Sequence, residues 1–125
     1  MIPHYKNIHN RFKINDFHFD KEALYQLAYT LIKEGKDYEN DLGVFLLDWL
    51  DDKETIQLTT SGTTGAPKVI TIKKQSMVYS AIATGNFFSL HPQDKALLCL
   101  PARYIAGKMM IVRAMMLGLE LDIMA

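Results

Sequence analysis

A change in hydrophobic periodicity at Thr55 constrains the fold more than any other feature of the sequence. Before this point apolar residues recur at helical spacing, whereas after it Ile56 and Leu58 alternate with polar neighbours, as in a β-strand. Strand-like and helix-like segments then alternate: strands at 69–72, 95–100 and 119–123, and helices at about 76–88 and 106–117. Strands separated by helices are typical of an α/β layer with at least part of its sheet parallel. We predict an α/β fold with a mixed sheet and packed helices.

Two amphipathic helices are predicted before Thr55. Asp20 is a suitable N-cap for the first helix, and Gly35 is suited to end it. Both helices carry one apolar face that must pack on a core. The positions on these faces are Leu24, Leu27, Ala28, Leu31 and Ile32 in the first helix, and Leu42, Phe45, Leu46, Trp49 and Leu50 in the second. We therefore divide the chain into a helical segment, 1–54, and an α/β segment, 55–125.

The remaining helical and polar segments lead to more local expectations. The later helices should place in the core Val78, Ala81, Ile82 and Phe88, and then Met109, Val112 and Met116. The acidic run of Asp48, Asp51, Asp52 and Glu54 should form a solvated edge at a helix end. His4, His9 and His18 meet no standard ligand spacing, so no metal site is predicted from them.

The last residues, Leu121 to Ala125, resemble the middle of a buried strand. A central strand needs a neighbour on each side, and nothing after Ala125 supplies one. We therefore expect a strand left unpaired and a chain that is an N-terminal fragment of a longer protein.

Composition narrows the classes of function. The 125 residues include 14 basic and 14 acidic side chains, and this balance argues against nucleic-acid binding. The single cysteine, Cys99, lies in an apolar run, so it is expected to be buried in a protein from a reducing compartment. No signal peptide and no membrane span are predicted, because the longest apolar stretch is interrupted by Lys108 and Arg113. The predicted location is the cytoplasm.

The segment from Thr59 to Lys68 carries the clearest chemical signal. It combines five hydroxyl side chains with two glycines, a proline and a lysine. Glycines let backbone N–H groups approach an anion, hydroxyls donate hydrogen bonds and the lysine supplies charge, so the composition suits a phosphate cradle between two strands. It is not a Walker A loop, since Pro67 precedes the lysine and a strand follows it. A solvated Ser/Thr/Gly hairpin loop is the alternative.

The order of these residues adds to the composition. Thr60-Ser61-Gly62-Thr63-Thr64-Gly65-Ala66-Pro67-Lys68 resembles, residue for residue, the phosphate-loop signature of the adenylate-forming (AMP-binding) superfamily. That superfamily comprises acyl-CoA synthetases, luciferases and peptide-synthetase adenylation domains. Val69 departs from the pattern, because most members have a glycine after the lysine. Nine consecutive matching positions make the resemblance specific.

A second segment, Leu100 to Gly107, resembles the family's Leu-Pro-x-x-aromatic/His-x-x-Gly motif, which lines the acyl-substrate pocket. The resemblance places Tyr104 and Gly107 at that pocket. Many ligases have histidine at the position of Tyr104, and a phenol cannot carry a proton near neutral pH as imidazole does. The continuation from Ile105 to Met115, with the short N-terminal region, looks most like the o-succinylbenzoate–CoA ligases of menaquinone biosynthesis.

The resemblance implies a two-step reaction that uses ATP, Mg²⁺ and coenzyme A. A carboxylate attacks the α-phosphorus of ATP to give an acyl adenylate and pyrophosphate, and the thiol of coenzyme A then displaces AMP. The implied ligands of the β- and γ-phosphates are Thr60, Ser61, Gly62, Thr63, Thr64, Gly65 and Lys68. The family's adenine, ribose and Mg²⁺ motifs and its C-terminal domain with the catalytic lysine do not occur in these residues. Lys68 is not that lysine, and the isolated chain is expected to be inactive.

Two alternatives stay open at this point. One is a carboxylic acid other than o-succinylbenzoate, because the family's acyl pocket is completed by residues beyond position 125. The other is an inactive fragment or a non-catalytic nucleotide- or protein-binding module. Candidate acids and direct ATP binding distinguish these possibilities.

Overall fold

A computed structural model describes residues 2–60 and 65–123. Within these ranges the chain forms four α-helices and six β-strands. In chain order they are β1 (Lys13–Ile14), β2 (Phe17–His18), α1 (Lys21–Glu34), α2 (Asp37–Leu50), β3 (Thr55–Thr60), β4 (Lys68–Lys73), α3 (Lys74–Phe87), β5 (Lys95–Leu98), α4 (Ile105–Leu117) and β6 (Glu120–Ile123). The predicted α/β class with a mixed sheet is confirmed.

The two N-terminal helices form where the spacing predicts them. The Asp20 carboxylate accepts a hydrogen bond from the Ala23 N–H at 2.8 Å, which caps the start of α1. Gly35 follows the end of α1, as predicted, and its N–H donates to the Leu31 carbonyl. The two helices pack on each other, and α2 contributes much of the core through Leu42, Phe45, Leu46, Trp49 and Leu50.

Four of the described strands form one mixed sheet in the order β2-β1-β6-β5. β6 lies between β1 and β5 and runs parallel to both, while β1 and β2 are antiparallel. The expectation of an unpaired final strand is therefore wrong. Its partners precede it in the chain, and the segment from Lys13 to Ile14 supplies the neighbour that local reading of the sequence had not found.

The β1–β2 hairpin was not predicted. Asn15 and Asp16, which connect its strands, both adopt positive φ, 48° and 71°, as a tight type I′ turn requires. The Asn15 side-chain oxygen also accepts a hydrogen bond from the Ile123 N–H, 108 positions away. Strands of two residues have too little periodicity to stand out in the sequence, and pairing with β6 stabilises them.

β3 and β4 form a separate antiparallel hairpin among the described residues. Both strands were predicted, but they do not join the parallel layer. Ile56 and Leu58 alternate inward and are buried in the core, whereas Val69 and Ile70 of β4 are exposed. The hairpin is thus held mainly through β3.

Helices α3 and α4 pack against each other, with some differences from expectation. Val78, Ala81, Val112 and Met116 are buried as predicted, and Ile82 and Met109 are partly buried against the core. Phe88 is 66% exposed, so its assignment to the core is wrong. It follows the last residue of α3 and lies beyond the contact between the helices.

Cys99 is exposed, which contradicts the prediction of a buried thiol. The sequence predicts a strand over 95–100, but β5 ends at Leu98 and lies at the edge of its sheet. Cys99 follows the end of this edge strand, so no neighbouring strand among the described residues shields its thiol from solvent on that side.

An ion pair joins α2 to α3 where a solvated acidic edge was expected. The Lys74 side chain is fully buried, and its Nζ lies 2.7 Å from Oδ1 of Asp51. The Lys74 N–H also donates to the Glu54 carbonyl at 2.9 Å. Burial works to raise the pKa of Asp51, but hydrogen bonds from Lys74 and from the Lys53 N–H outweigh it, and the pKa is lowered. Asp51 therefore has a structural partner rather than water alone.

The start of α4 lies unusually close to the turn before it. A Cβ atom on Gly107 would lie 2.3 Å from the Pro101 carbonyl oxygen. Gly85 of α3 is also closely packed, but a Cβ there would meet the tip of the Leu117 side chain at 2.8 Å. A backbone atom cannot move aside as a side chain can, so of these two glycines Gly107 is the one that sterics require. Gly118 ends α4 in the left-handed conformation, with φ of 77°.

None of the described helices is long and apolar enough to cross a membrane.

We expect Asp51→Asn to lower the free energy of unfolding by about 1–2 kcal/mol, because it leaves a buried ammonium without its carboxylate. The loss is moderated by water, since the Asp51 side chain is 39% exposed. Lys74→Met should cost less, since it removes the buried charge and leaves a carboxylate that water can reach. Asp52→Asn, an exposed neighbour, is the control and should change stability by less than about 0.5 kcal/mol. Urea denaturation measures all three, and a larger loss for Lys74→Met would contradict the asymmetry.

The cost of Asp51→Asn should also depend on pH. Because the folded-state pKa of Asp51 is lowered, its stabilisation is complete above the unfolded pKa of about 3.9 and is lost as the pH falls through the folded value. Denaturation curves from pH 7 down to pH 2 should converge for the wild type and the variant at the acid end. A constant difference at every pH would show that the Asp51 charge contributes nothing.

Gly107→Ala should destabilise the protein by about 1–3 kcal/mol, although alanine favours a helix by about 1 kcal/mol. Gly85→Ala, the matched control, should cost less because Leu117 can change rotamer. The order of the two denaturation midpoints decides the comparison. Equal midpoints would mean that the Pro101 carbonyl moves away from the added methyl group as easily as the Leu117 side chain does.

Candidate functional site

The β3–β4 hairpin determines where the predicted phosphate loop lies. Thr60, the last residue of β3, pairs with Lys68, the first residue of β4, so the connecting loop is residues 61–67. The predicted strand-loop-strand setting is therefore correct. Four of the proposed phosphate ligands, Ser61, Gly62, Thr63 and Thr64, lie outside the described residues, and the backbone of Thr60 is described as part of β3.

The described end of the loop has features that suit an anion. Gly65 has φ of 134°, a conformation that side-chain-bearing residues rarely adopt, and a Cβ there would meet no atom within 4 Å. Lys68 is exposed at the start of β4. A backbone that only glycine adopts easily, followed by an exposed lysine, suits the binding of nucleotide phosphates. Such a ligand requires N–H groups at close range and a positive charge.

A cleft of about 250 Å³, with both charged and apolar side chains in its walls, opens beside β3. Helix α2, strand β3 and the start of α4 form its walls. The residues that line it are Asp41, Val44, Phe45, Asp48, Gln57, Thr59, Arg103 and Lys108. Thr59 directly precedes Thr60, the first of the predicted phosphate ligands. This cleft was not predicted, and the one sequence signal for it is Lys108, a lysine that interrupts the apolar helix α4.

Charges in the cleft influence one another. Burial raises the pKa of Asp48, and the nearby Asp51 carboxylate raises it further, whereas Lys108 acts in the opposite direction. Burial lowers the pKa of Lys108, and the carboxylates of Asp41 and Asp48 counteract part of that effect. The cleft is therefore a partly desolvated mixture of cations and carboxylates.

The Leu100–Gly107 segment forms the turn from β5 into α4. Tyr104 immediately precedes α4 and is 46% exposed. The Arg103 guanidinium carbon lies 5.3 Å from the centroid of the Tyr104 ring. Gly107 is buried against the turn, as the Pro101 contact requires. Tyr104 thus presents surface for a ligand, whereas Gly107 allows the close packing that positions the turn.

The histidines considered for metal binding make local contacts instead. Nδ1 of His4 accepts a hydrogen bond from the Lys6 N–H, and Nδ1 of His9 accepts one from the Arg11 N–H. Nδ1 of His18 lies 3.4 Å from the Phe12 carbonyl oxygen. Among the residues that the structure describes, no group of three histidine, cysteine or acidic side chains could hold a metal ion. Ligands for the implied Mg²⁺ are therefore not identified in this part of the fold.

Comparisons with known proteins agree with the geometry. The model of the AMP-binding enzyme family matches residues 29–125. A solved structure of an acyl-CoA synthetase (AMP-forming)/AMP-acid ligase II-like protein from Dyadobacter fermentans DSM 18053 is 39% identical in sequence. The match has a TM-score of 0.67 and covers 80% of this chain. This chain spans 29% of the length of that protein.

A second solved structure supports the fold alone. It is the Vibrio cholerae adenylation domain AlmE in complex with glycyl-adenosine-5'-phosphate, 21% identical with a TM-score of 0.50. The match covers 66% of this chain and 16% of that one. No curated protein matches the sequence. The family match extends over most of the chain and includes the phosphate loop and the β5–α4 turn, and the chain therefore belongs to the AMP-binding enzyme family.

Proposed function

We propose that this chain is the ATP-phosphate-binding part of a cytoplasmic, AMP-forming acid–CoA ligase, and that the acid is o-succinylbenzoate. The observation that carries the proposal is the β3–β4 hairpin, which closes with Thr60 opposite Lys68 and gives Gly65 its positive φ. Membership of the AMP-binding enzyme family supports the use of ATP. The chain supplies the phosphate loop and one wall of the acid pocket, and residues outside it complete the site.

In this proposal the chain's residues act on the first half-reaction. The substrate carboxylate attacks the α-phosphorus of ATP, the bond to the β-phosphate oxygen breaks and pyrophosphate leaves. Hydroxyls and N–H groups of the loop at 60–65 bind the β- and γ-phosphates, and the Lys68 ammonium stabilises the negative charge that grows on the leaving pyrophosphate. Mg²⁺ would neutralise part of the same charge when bound. The thiol of coenzyme A then attacks the acyl carbonyl and releases AMP.

The choice of acid rests on the β5–α4 segment. Tyr104 is exposed beside the cleft, where a ring can contact an aromatic acid, and Gly107 lets the turn pack closely on α4. The resemblance of residues 105–115 to the o-succinylbenzoate–CoA ligases supports the same acid. A different carboxylic acid with the same chemistry is the second candidate, since the pocket is completed elsewhere.

We expect Lys68→Ala to lower kcat/KM for ATP by about 10- to 100-fold, because it removes one charge-assisted contact to the phosphates. The measurement is pyrophosphate release by the protein that contains this chain within a complete family domain. Lys73→Ala, at the other end of β4 and equally exposed, is the matched control and should keep wild-type kinetics. Equal kinetics for the two variants would remove Lys68 from the phosphate site.

A panel of acids tests the substrate. With ATP and coenzyme A in excess, o-succinylbenzoate should give the highest kcat/KM for pyrophosphate release, ahead of benzoate, succinate and medium-chain fatty acids. A higher value for another acid would keep the ligase chemistry and reject o-succinylbenzoate. If no acid causes pyrophosphate release and no coenzyme A-dependent product forms, the ligase assignment itself fails.

A further inference from the structure

Two groups of Lys108 hold the turn that carries Tyr104. Its ammonium donates a hydrogen bond to the carbonyl of Ala102, a residue that is almost fully buried. Its backbone N–H makes the first main-chain hydrogen bond of α4, to the Tyr104 carbonyl at 3.0 Å, which does not depend on the side chain. The Tyr104 N–H in turn donates to the Pro101 carbonyl at 3.2 Å. Lys108 is thus hydrogen-bonded to the turn on both sides of Arg103, the residue directly before Tyr104.

The position is an unfavourable one for a lysine, so the ammonium needs compensation. Lys108 lies in the first turns of α4, where the positive end of the helix dipole disfavours a cation. Its side chain is also partly buried, and this burial lowers its pKa. The compensation comes from α2: the carboxylates of Asp41 and Asp48 attract the ammonium, and the Phe45 ring lies 5.7 Å from Nζ. An unbranched apolar side chain would avoid these costs but could not bind the Ala102 carbonyl.

A second cation of the turn uses the same helix. The Arg103 guanidinium lies 3.9 Å from an oxygen of Asp41 and 5.3 Å from the centroid of the Tyr104 ring. Arg103 is well exposed, so its ion pair is weak by itself. Lys108 therefore hydrogen-bonds the buried part of the turn, at Ala102, and the Arg103–Asp41 ion pair contacts its exposed part.

We propose that Lys108 is a positioning residue for the acid-binding step: it fixes the 101–104 turn against α2 and thereby sets the place of the Tyr104 ring at the pocket wall. The inference rests on the proposed function, in which Tyr104 contacts the acid. The Lys108 ammonium is hydrogen-bonded to the Ala102 carbonyl, so in this proposal it acts on the acid through the turn. It should therefore affect the acid and the nucleotide differently.

The test compares Lys108→Met with Lys108→Arg in the protein that contains the complete family domain. Methionine keeps the length and helical propensity of the side chain and removes the donor, whereas arginine keeps a donor. We expect Lys108→Met to raise KM for the acid about tenfold and to change KM for ATP less than about twofold. Lys108→Arg should recover most of the loss. Lys95→Met, an exposed lysine at the start of β5, is the matched control and should behave as the wild type.

Hydrogen exchange gives a readout that does not depend on activity. The Tyr104 amide should exchange about tenfold faster in Lys108→Met than in the wild type, while amides in the middle of α2 keep their rates. An unchanged Tyr104 rate would overturn the inference even if activity fell. A faster Tyr104 rate with unchanged KM for the acid would equally overturn it, because the turn would then not set the pocket. If the wild type activates no acid, the proposed function fails, and the exchange rates still test the hold of Lys108 on the turn.

Discussion

The placement of the β3–β4 hairpin depends on the buried ammonium of Lys74. Its side chain binds Asp51 at the end of α2, and its backbone N–H binds the Glu54 carbonyl just before β3. The Tyr5 ring lies 5.7 Å from the same ammonium, and the neighbouring Gln75 side chain hydrogen-bonds the backbone of the N-terminal segment. Since β4 ends directly before Lys74, both strands of the hairpin are fixed at their open end.

Helix α2 supports both halves of the proposed site. Its C-terminal end holds the hairpin through Asp51, and the preceding turns face the β5–α4 turn through Asp41, Phe45 and Asp48. The cleft between these contacts is lined by Gln57 and Thr59 of β3 on one side and by Arg103 and Lys108 on the other. A ligand with phosphates on the loop and an acid at the turn would therefore bridge two elements that one helix keeps in register.

Local signals in the sequence were sufficient for the elements that form locally. The Asp20 cap, the apolar faces of α1 and α2 and the strands around the phosphate loop were predictable because each depends on neighbours a few positions away. The loop itself stood out by composition. Of its most characteristic residues, Gly65, Pro67 and Lys68 lie within the described ranges.

Features that depend on distant partners could not be read in this way. The short β1–β2 hairpin exists because β6, more than a hundred residues later, pairs with it. The same pairing removes the apparent lack of a neighbour for β6. Cys99 is exposed because β5 is an edge strand that ends before it. Lys74 can be buried because its ammonium forms an ion pair with Asp51 at the end of α2. A lysine and a cysteine show their environment only after the tertiary contacts form.

The most direct measurement is a crystal structure, with ATP bound, of the protein that contains this chain within a complete family domain. The β- and γ-phosphates should lie within hydrogen-bonding distance of the loop at 60–65 and of Lys68 Nζ, with the α-phosphate directed towards Tyr104. Phosphates bound elsewhere on the domain, with the β3–β4 loop exposed to solvent, would contradict the central claim that this hairpin is the phosphate site.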